Sequence, residues 1–263
     1  MRGVDLLQVE FCAMKGARHR LIKDLLRDRG EMTVRALARE LGVSEATIRR
    51  DLKELLGTSG LRRVHGGAAF MEDVEPPVVA RRRKNAEEKI ALAAYAASRI
   101  PEGATVFIGS GSTMSFLAEA LVVRRELTVI TNACNVAVTL ASATGVDVCM
   151  TGGALRRGEM SLIGAIAEES VTSLEFETAF MSIQGIDPNV GLTNSFVPEA
   201  SMDRAVVAHA PRLVILAEGY KLGRVAPVVV GSVEVMDSLI TSRTANQSQI
   251  DRLVDLGVEV ELV

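Results

Sequence analysis

Residues 32–65 read MTVRALARELGVSEATIRRDLKELLGTSGLRRVH, and this stretch decides the amino-terminal fold. Val34, Leu37, Ala38 and Leu41 recur at helical spacing, so one side is apolar while Arg35, Arg39 and Glu40 face outward. Thr33 suits the start of this helix, and Gly42 supplies the backbone freedom that a sharp corner needs. Ser44 is placed to cap a second helix whose Ile48, Leu52 and Leu55 form a buried seam. At about 100° per residue, the opposite side carries Ala46, Thr47, Arg50 and Lys53, with Arg49 on the flank. Leu61-Arg62-Arg63-Val64-His65 then mixes apolar and basic residues ahead of Gly66-Gly67, as a wing strand lying along phosphates would. The reading is a winged helix-turn-helix that contacts double-stranded DNA through Ser44, Ala46, Thr47, Arg49, Arg50, Lys53, Arg62, Arg63 and His65. The plainer alternative is a charged amphipathic helix pair on an ordinary protein surface.

Charge supports the first reading. Residues 15–65 hold 13 Lys and Arg against 7 Asp and Glu, a surplus of 6, while the rest of the chain has a deficit of 9. A basic head on an acidic body fits a protein that meets phosphate with one end only. The 263 residues allow one small and one large domain. No apolar run approaches membrane-spanning length and no signal peptide is evident, so a cytoplasmic protein with no membrane contact is expected. Cys12, Cys134 and Cys149 share no metal-ligand spacing and read as free thiols; no metal site and no cofactor is expected.

Ahead of the helix pair, Leu21, Ile22, Leu25 and Leu26 give a helix that packs behind it, with His19 facing solvent. Beyond the wing the chain turns acidic and proline-bearing through Pro76-Pro77, as a linker does. Arg81-Arg82-Arg83-Lys84 then reads equally as a solvated charge run, a further DNA contact or the rim of a phosphate site.

From Glu87 helices alternate with short apolar strands at 105–108, 127–130, 146–150, 179–183, 213–217, 238–241 and 258–262. Such alternation implies a parallel sheet covered on both faces, with ligands bound beyond the strands' carboxyl ends. There, Ser110-Gly111-Ser112-Thr113 joins a strand to a helix, so bare backbone N–H groups and hydroxyls converge where an anion is favoured. Thr131-Asn132 ends the next strand, and Gly152-Gly153 follows the one after, with Arg156 and Arg157 close behind. A tight strand-to-helix turn with no ligand would favour similar residues.

SEATIRRDLKEL followed by LRRVHGGA resembles the signature of the DeoR-type family of bacterial transcriptional repressors, across residues 37–68. Gly57-Thr58-Ser59-Gly60 ahead of a single Leu61 departs from the family pattern, which places a glycine before two apolar residues, and is expected to reshape the turn into the wing. The family pattern also suggests that residues 1–14 are an extension and that translation starts at Met14. Residues 85–242 resemble the family's sensor domain, a fold related to sugar-phosphate isomerases, through TNACNVA, TGGALRR and LIGAIAEE. Its acidic-serine-glycine-threonine-threonine loop appears as Gly109 to Thr113 without the acidic residue, and its aspartate-x-serine-lysine motif as Glu218-Gly219-Tyr220-Lys221. The resemblance implies that Lys221, Ser110 to Thr113 and Lys89 contribute to binding a phosphorylated sugar or similar metabolite, with Glu218 in the carboxylate's place. Lys89 also reads as a surface lysine on an amphipathic helix.

The expected architecture is therefore α/β: a small winged helix-turn-helix domain over 14–69, a linker over 70–84, and a larger Rossmann-like α/β sensor domain with a mainly parallel sheet over 85–263. The leading functional expectation is a metabolite-released repressor of carbohydrate-metabolism genes. It would act as a homodimer or homotetramer, because one helix reads too few base pairs. A sugar-phosphate isomerase-like enzyme with a DNA-binding head is the alternative. Against it, Asp187 precedes Pro188-Asn189 in a turn, Glu218 stands alone, and His65 and His209 belong to no catalytic cluster, so no catalytic residue is assigned. A third reading is an activator or a constitutive DNA-binding protein whose pocket has lost its ligand.

Overall fold

A computed structural model of the chain describes residues 15–29, 31–56, 61–64, 66–70 and 76–263. The chain divides into two units, Met1–Pro76 and Pro77–Val263.

In the first unit, α1 (Lys15–Arg29), α2 (Val34–Leu41) and α3 (Glu45–Leu55) close around Ile22, Leu26, Leu37, Ile48 and Leu52. Both caps form as the sequence suggests: the Thr33 hydroxyl accepts from Ala36 N at 3.2 Å and Ser44 Oγ accepts from Thr47 N at 3.1 Å. Gly42 takes the left-handed conformation, φ 65°, at the corner between α2 and α3. β1 (Glu31–Thr33), β2 (Leu61–Val64) and β3 (Gly67–Phe70) form an antiparallel sheet in the order β1-β3-β2. The strand β1 was not expected; it is only three residues long and merges into the α2 cap. The altered turn at 57–60, His65, Cys12 and the Met14 start lie outside the described residues, as does the Arg62 side chain.

The second unit is built on seven parallel strands: β4 (Thr105–Ile108), β5 (Leu127–Thr131), β6 (Val146–Met150), β9 (Thr178–Met181), β12 (Leu213–Ala217), β14 (Ser238–Thr241) and β15 (Glu259–Leu262). They lie in the order β15-β14-β12-β9-β4-β5-β6. All seven expected strands are present within two residues of their expected ends. The inner strands β12 and β14 are buried at every position, as a sheet covered on both faces requires. Alternate residues feed opposite cores. Val106, Ile108 and Val129 pack with α5 (Ala86–Arg99), α6 (Ser112–Leu121) and α7 (Cys134–Leu140). Phe107, Ala179, Met181 and Ile215 pack with α8 (Ala165–Thr172), α9 (Val197–His209) and α10 (Gln247–Asp255).

Two additions were not legible in the sequence. β7 (Ala154–Arg156) and β8 (Ser161–Ile163) form a hairpin after β6, and β10 (Gly185–Asp187), β11 (Gly191–Asn194) and β13 (Val228–Gly231) form a small antiparallel sheet. Part of the stretch read as a linker is folded: α4 (Val78–Arg81) is a single helical turn, its Val78 side chain is buried, and Val78 N donates to Gly158 O at 2.8 Å. The strand order reverses between β4 and β9, which sets the crevice of this sheet beside the 109–113 loop.

Candidate functional site

In the first unit α3 buries Ile48, Asp51, Leu52 and Leu55 and leaves Ala46, Arg49, Arg50 and Lys53 exposed, so the face read from the sequence is the one turned to solvent. Ser44 is also exposed, but its hydroxyl is engaged by the cap and lies 2.9 Å from Thr47 Oγ1. Arg49 pairs with Glu45 at 3.1 Å, one turn back. Arg50 and Lys53 form no ion pair among the described residues. Arg49, Lys53 and Arg63 line one groove between α3 and β2, together with Leu52, Leu56 and Leu61. A concave strip with three cations over an apolar base matches phosphate flanking a groove-bound helix.

The pose of α3 is set from behind. Asp51, 2% exposed, accepts from Arg18 Nε at Oδ2 (2.6 Å) and from Arg18 Nη2 at Oδ1 (3.1 Å), and His19 Nε2 lies 3.1 Å from the same Oδ1. Burial alone would push the Asp51 carboxyl up, but the Arg18 and His19 hydrogen bonds and charges outweigh it and hold the group below its ordinary value. His19 is thus turned onto α3, correcting its expected solvent-facing position. No local pattern marks this contact, because the partners lie 32 residues apart.

In the second unit three strand ends meet. Lys221 Nζ sits 2.8 Å from Glu218 Oε2 and donates to Ser182 Oγ at 3.0 Å. Lys89 Nζ lies 3.4 Å from the other Glu218 oxygen and donates to the carbonyls of Arg81 and Lys84 at 2.7 and 2.8 Å. Both lysines and Glu218 are buried, so the surface reading of Lys89 does not hold. Burial opposes the charge on Glu218, yet Lys221, the backbone and Lys89 together hold its carboxyl low. Burial likewise lowers Lys89, with the Glu218 charge pulling the other way. Two ammonium groups share one carboxylate. Glu88 fixes the segment that carries Lys221, accepting from Gly219 N at 2.7 Å and Ser242 Oγ at 2.5 Å.

Gly111 opens α6 at φ 119°. A Cβ built there would stand 3.7 Å from Ser182 Cβ and 3.9 Å from Glu159 Oε1, so Ser182 links the glycine loop to Lys221. Ser110 is half-buried, Ser112 and Thr113 are buried, and Thr113 Oγ1 has no hydrogen-bond partner among the described residues. Buried Asn132 donates to Leu162 O at 3.2 Å and leaves its Oδ1 unpartnered.

Other expected ligand contacts are committed elsewhere. Thr131 Oγ1 donates to Ile108 O at 2.6 Å and accepts from Ala133 N at 3.0 Å, so its hydroxyl is engaged on both sides. Gly153 has a packing reason to be glycine: a Cβ would come within 2.8 Å of Ile163 O and 2.9 Å of Ala167 Cβ. Gly152 precedes it at φ 73°. Arg156 pairs with Glu199 and stacks over Phe196 at 4.4 Å. Conversely, Ser182, Glu159 and Glu88 join the site unannounced, and Arg81 joins it from the basic run that read equally as a phosphate-site rim. Ser182 was hidden inside an apolar run read as strand through 183, whereas β9 ends at Met181.

A separate cleft of about 310 Å³ opens where the strands begin, lined by Arg99, Glu177, Arg212 and Glu261 among others. It lies at the opposite end from the crevice where open α/β sheets bind ligands. Among the described residues no group of three or more His, Cys, Asp or Glu could hold a metal, and no helix is long and apolar enough to cross a membrane.

Residues 18–74 match the DeoR-like helix-turn-helix domain and residues 84–243 the DeoR C-terminal sensor domain. The chain belongs to the DeoR family. It is 31% identical to the glycerol-3-phosphate regulon repressor of Escherichia coli, over 93% of this chain and 98% of that one. It is 33% identical to the HTH-type transcriptional regulator GlpR of Haloferax volcanii, over 92% of this chain and 96% of that one. Ribose 5-phosphate isomerase from Plasmodium falciparum superposes with a TM-score of 0.38 at 14% identity, covering 51% of each chain. As a DeoR-family member the protein is a DNA-binding transcriptional regulator.

Proposed function

We propose that this DeoR-family protein is a cytoplasmic repressor that holds double-stranded operator DNA as a homodimer or homotetramer. A phosphorylated sugar or related metabolite releases it. The observation that carries the ligand half is Lys221, whose ammonium bridges Glu218 and Ser182 beside the Gly111 loop. The phosphate would lie at the start of α6 against Ser110 to Thr113, within reach of Lys221, and Lys89 would shape the site from beneath. The unpartnered Thr113 and Asn132 oxygens support a polar occupant. The E. coli relative's name, a repressor of the glycerol-3-phosphate regulon, supports a phosphate monoester as the class. On the DNA side, Arg50, Lys53, Arg49 and Arg63 would carry the contacts, with Ala46 and Thr47 nearest the base edges.

Catalysis is not part of this reading. Glu218, held low between two ammonium groups, is placed as their counter-ion rather than as a proton acceptor. The test is a thermal-shift screen against phosphate monoesters of sugars and polyols, with operator binding then followed by fluorescence anisotropy with and without each hit. A hit raises the melting temperature and weakens DNA binding. If no monoester moves either quantity, the reading fails. Turnover of a hit by the purified protein would instead revive the enzyme alternative.

A further inference from the structure

Resting on that reading of the pocket, we propose that Glu159 is a built-in stand-in for the ligand's phosphate, and that an arriving phosphate displaces its carboxylate and takes over its arginine, Arg81. Glu159 is 4% exposed, and its Oε1 stands 3.9 Å from the Cβ position of Gly111, the residue that opens α6. An anion is favoured at such a helix start. Its other oxygen takes a guanidinium hydrogen bond from Arg81. A phosphate monoester brings more charge and three acceptor oxygens to the same place, so it outcompetes a single carboxylate for both helix and arginine.

The surroundings allow the exchange. Glu159 lies in the turn between β7 and β8, and the next residue, Met160, sits at φ 56°, a conformation non-glycine side chains rarely adopt. A Cβ built on Gly158, just before Glu159, would meet nothing within 4 Å. The same turn accepts the Val78 N–H at Gly158 O, while Lys89 holds the carbonyls of Arg81 and Lys84. Residues 78–84 are therefore suspended between Glu159's turn and the lysine that touches Glu218. They are also the first residues of this unit after Pro77, so occupancy of the pocket is passed to the place where the chain leaves for the DNA-reading unit. Two other basic residues of this segment are docked as well. Arg82 pairs with Glu119 at 2.6 Å, and Lys84 lies over the Tyr220 ring at 4.8 Å.

The test uses the full chain and inorganic phosphate at constant ionic strength, comparing wild type with Glu159→Gln, Glu159→Asp and Arg81→Met. Both Glu159 variants should bind phosphate about fivefold tighter or more, and Arg81→Met more weakly by a similar factor. In wild type, saturating phosphate should speed hydrogen exchange at the Val78 amide. The aspartate variant keeps the charge one methylene further from Gly111, so it reports displacement even if the glutamine variant folds poorly. Wild-type binding with both Glu159 variants no tighter, or with Val78 exchange unchanged, overturns the stand-in while leaving the pocket. If neither wild type nor variants bind phosphate, the pocket itself is misread and the stand-in falls with it.

Discussion

At the scale of single residues, two buried carboxylates organise the protein, and each is charged because cations surround it. Asp51 draws Arg18 and His19 from α1 onto the buried side of α3. Asp51→Asn leaves the Arg18 guanidinium buried against a neutral amide, and removing one partner of a buried pair costs roughly 3 kcal/mol or more. Urea unfolding of the helix-turn-helix unit, followed by a probe placed there, should show a loss of that size. The pH dependence has a definite sign. The folded carboxyl lies below its ordinary value of about 3.9, so its stabilisation is complete above that pH and fades as pH falls through the lower folded value. Acid unfolding of wild type should therefore be steeper than that of Asp51→Asn. Glu218 plays the matching part in the sensor unit, where Lys221 is the group with a second, outward partner in Ser182. Lys221→Met should lower affinity for a binding phosphate monoester by about tenfold or more in calorimetry, the loss of one charge-assisted hydrogen bond. An unchanged affinity would remove Lys221 from the site.

Elements show where sequence reading succeeds and where it stops. The helices α2 and α3 were legible down to their caps, because Thr33, Gly42 and Ser44 act on backbone within four residues of themselves. The edge strands β6 and β15 carry Asp147, Glu259 and Glu261 and are part-exposed, whereas strand β12 was legible because burial on both faces leaves an unbroken apolar run. The hairpin β7–β8 and the sheet β10-β11-β13 were not: their strands are three or four residues long, several exposed or glycine-bearing, and their pairing is decided by distant neighbours. The same limit governs the site. Ser110 to Thr113 announced themselves as a strand-to-helix loop, but Glu159 and Arg81 meet across 78 residues of chain, and no local pattern encodes that. For α3 as an element, Ser44→Ala should cost about 1 kcal/mol through the lost cap. Arg50→Ala should leave stability within about 0.5 kcal/mol, since the side chain is exposed and forms no ion pair among the described residues. In anisotropy titrations Arg50→Ala should abolish operator binding while ligand binding is unchanged. Retained DNA affinity would mean that another face of the helix meets the groove.

At the scale of the whole molecule, the question is how a ligand in one unit alters the hold of the other on DNA. Ligand affinity alone does nothing: a metabolite that binds the DNA-fitting and DNA-releasing arrangements equally shifts neither. Release requires a difference between the two, and the difference is reciprocal. If the metabolite weakens operator affinity by some factor, operator must weaken metabolite affinity by the same factor. The expected size is about 5- to 150-fold, the usual range of such coupling. Titrating a hit from the monoester screen into free protein and into protein saturated with operator gives one ratio, and titrating operator with and without the ligand gives the other. Equal ratios above unity establish that pocket and reading head are linked through the protein. Ratios of unity, with ligand binding intact, would mean that the pocket serves something other than DNA release. Two half-sites must also be engaged together for the affinity a genome demands, so binding should follow protein concentration as an assembled dimer or tetramer rather than as a monomer. Sedimentation of the free and operator-bound protein reads that directly. A monomer on a single half-site would show that one α3 suffices.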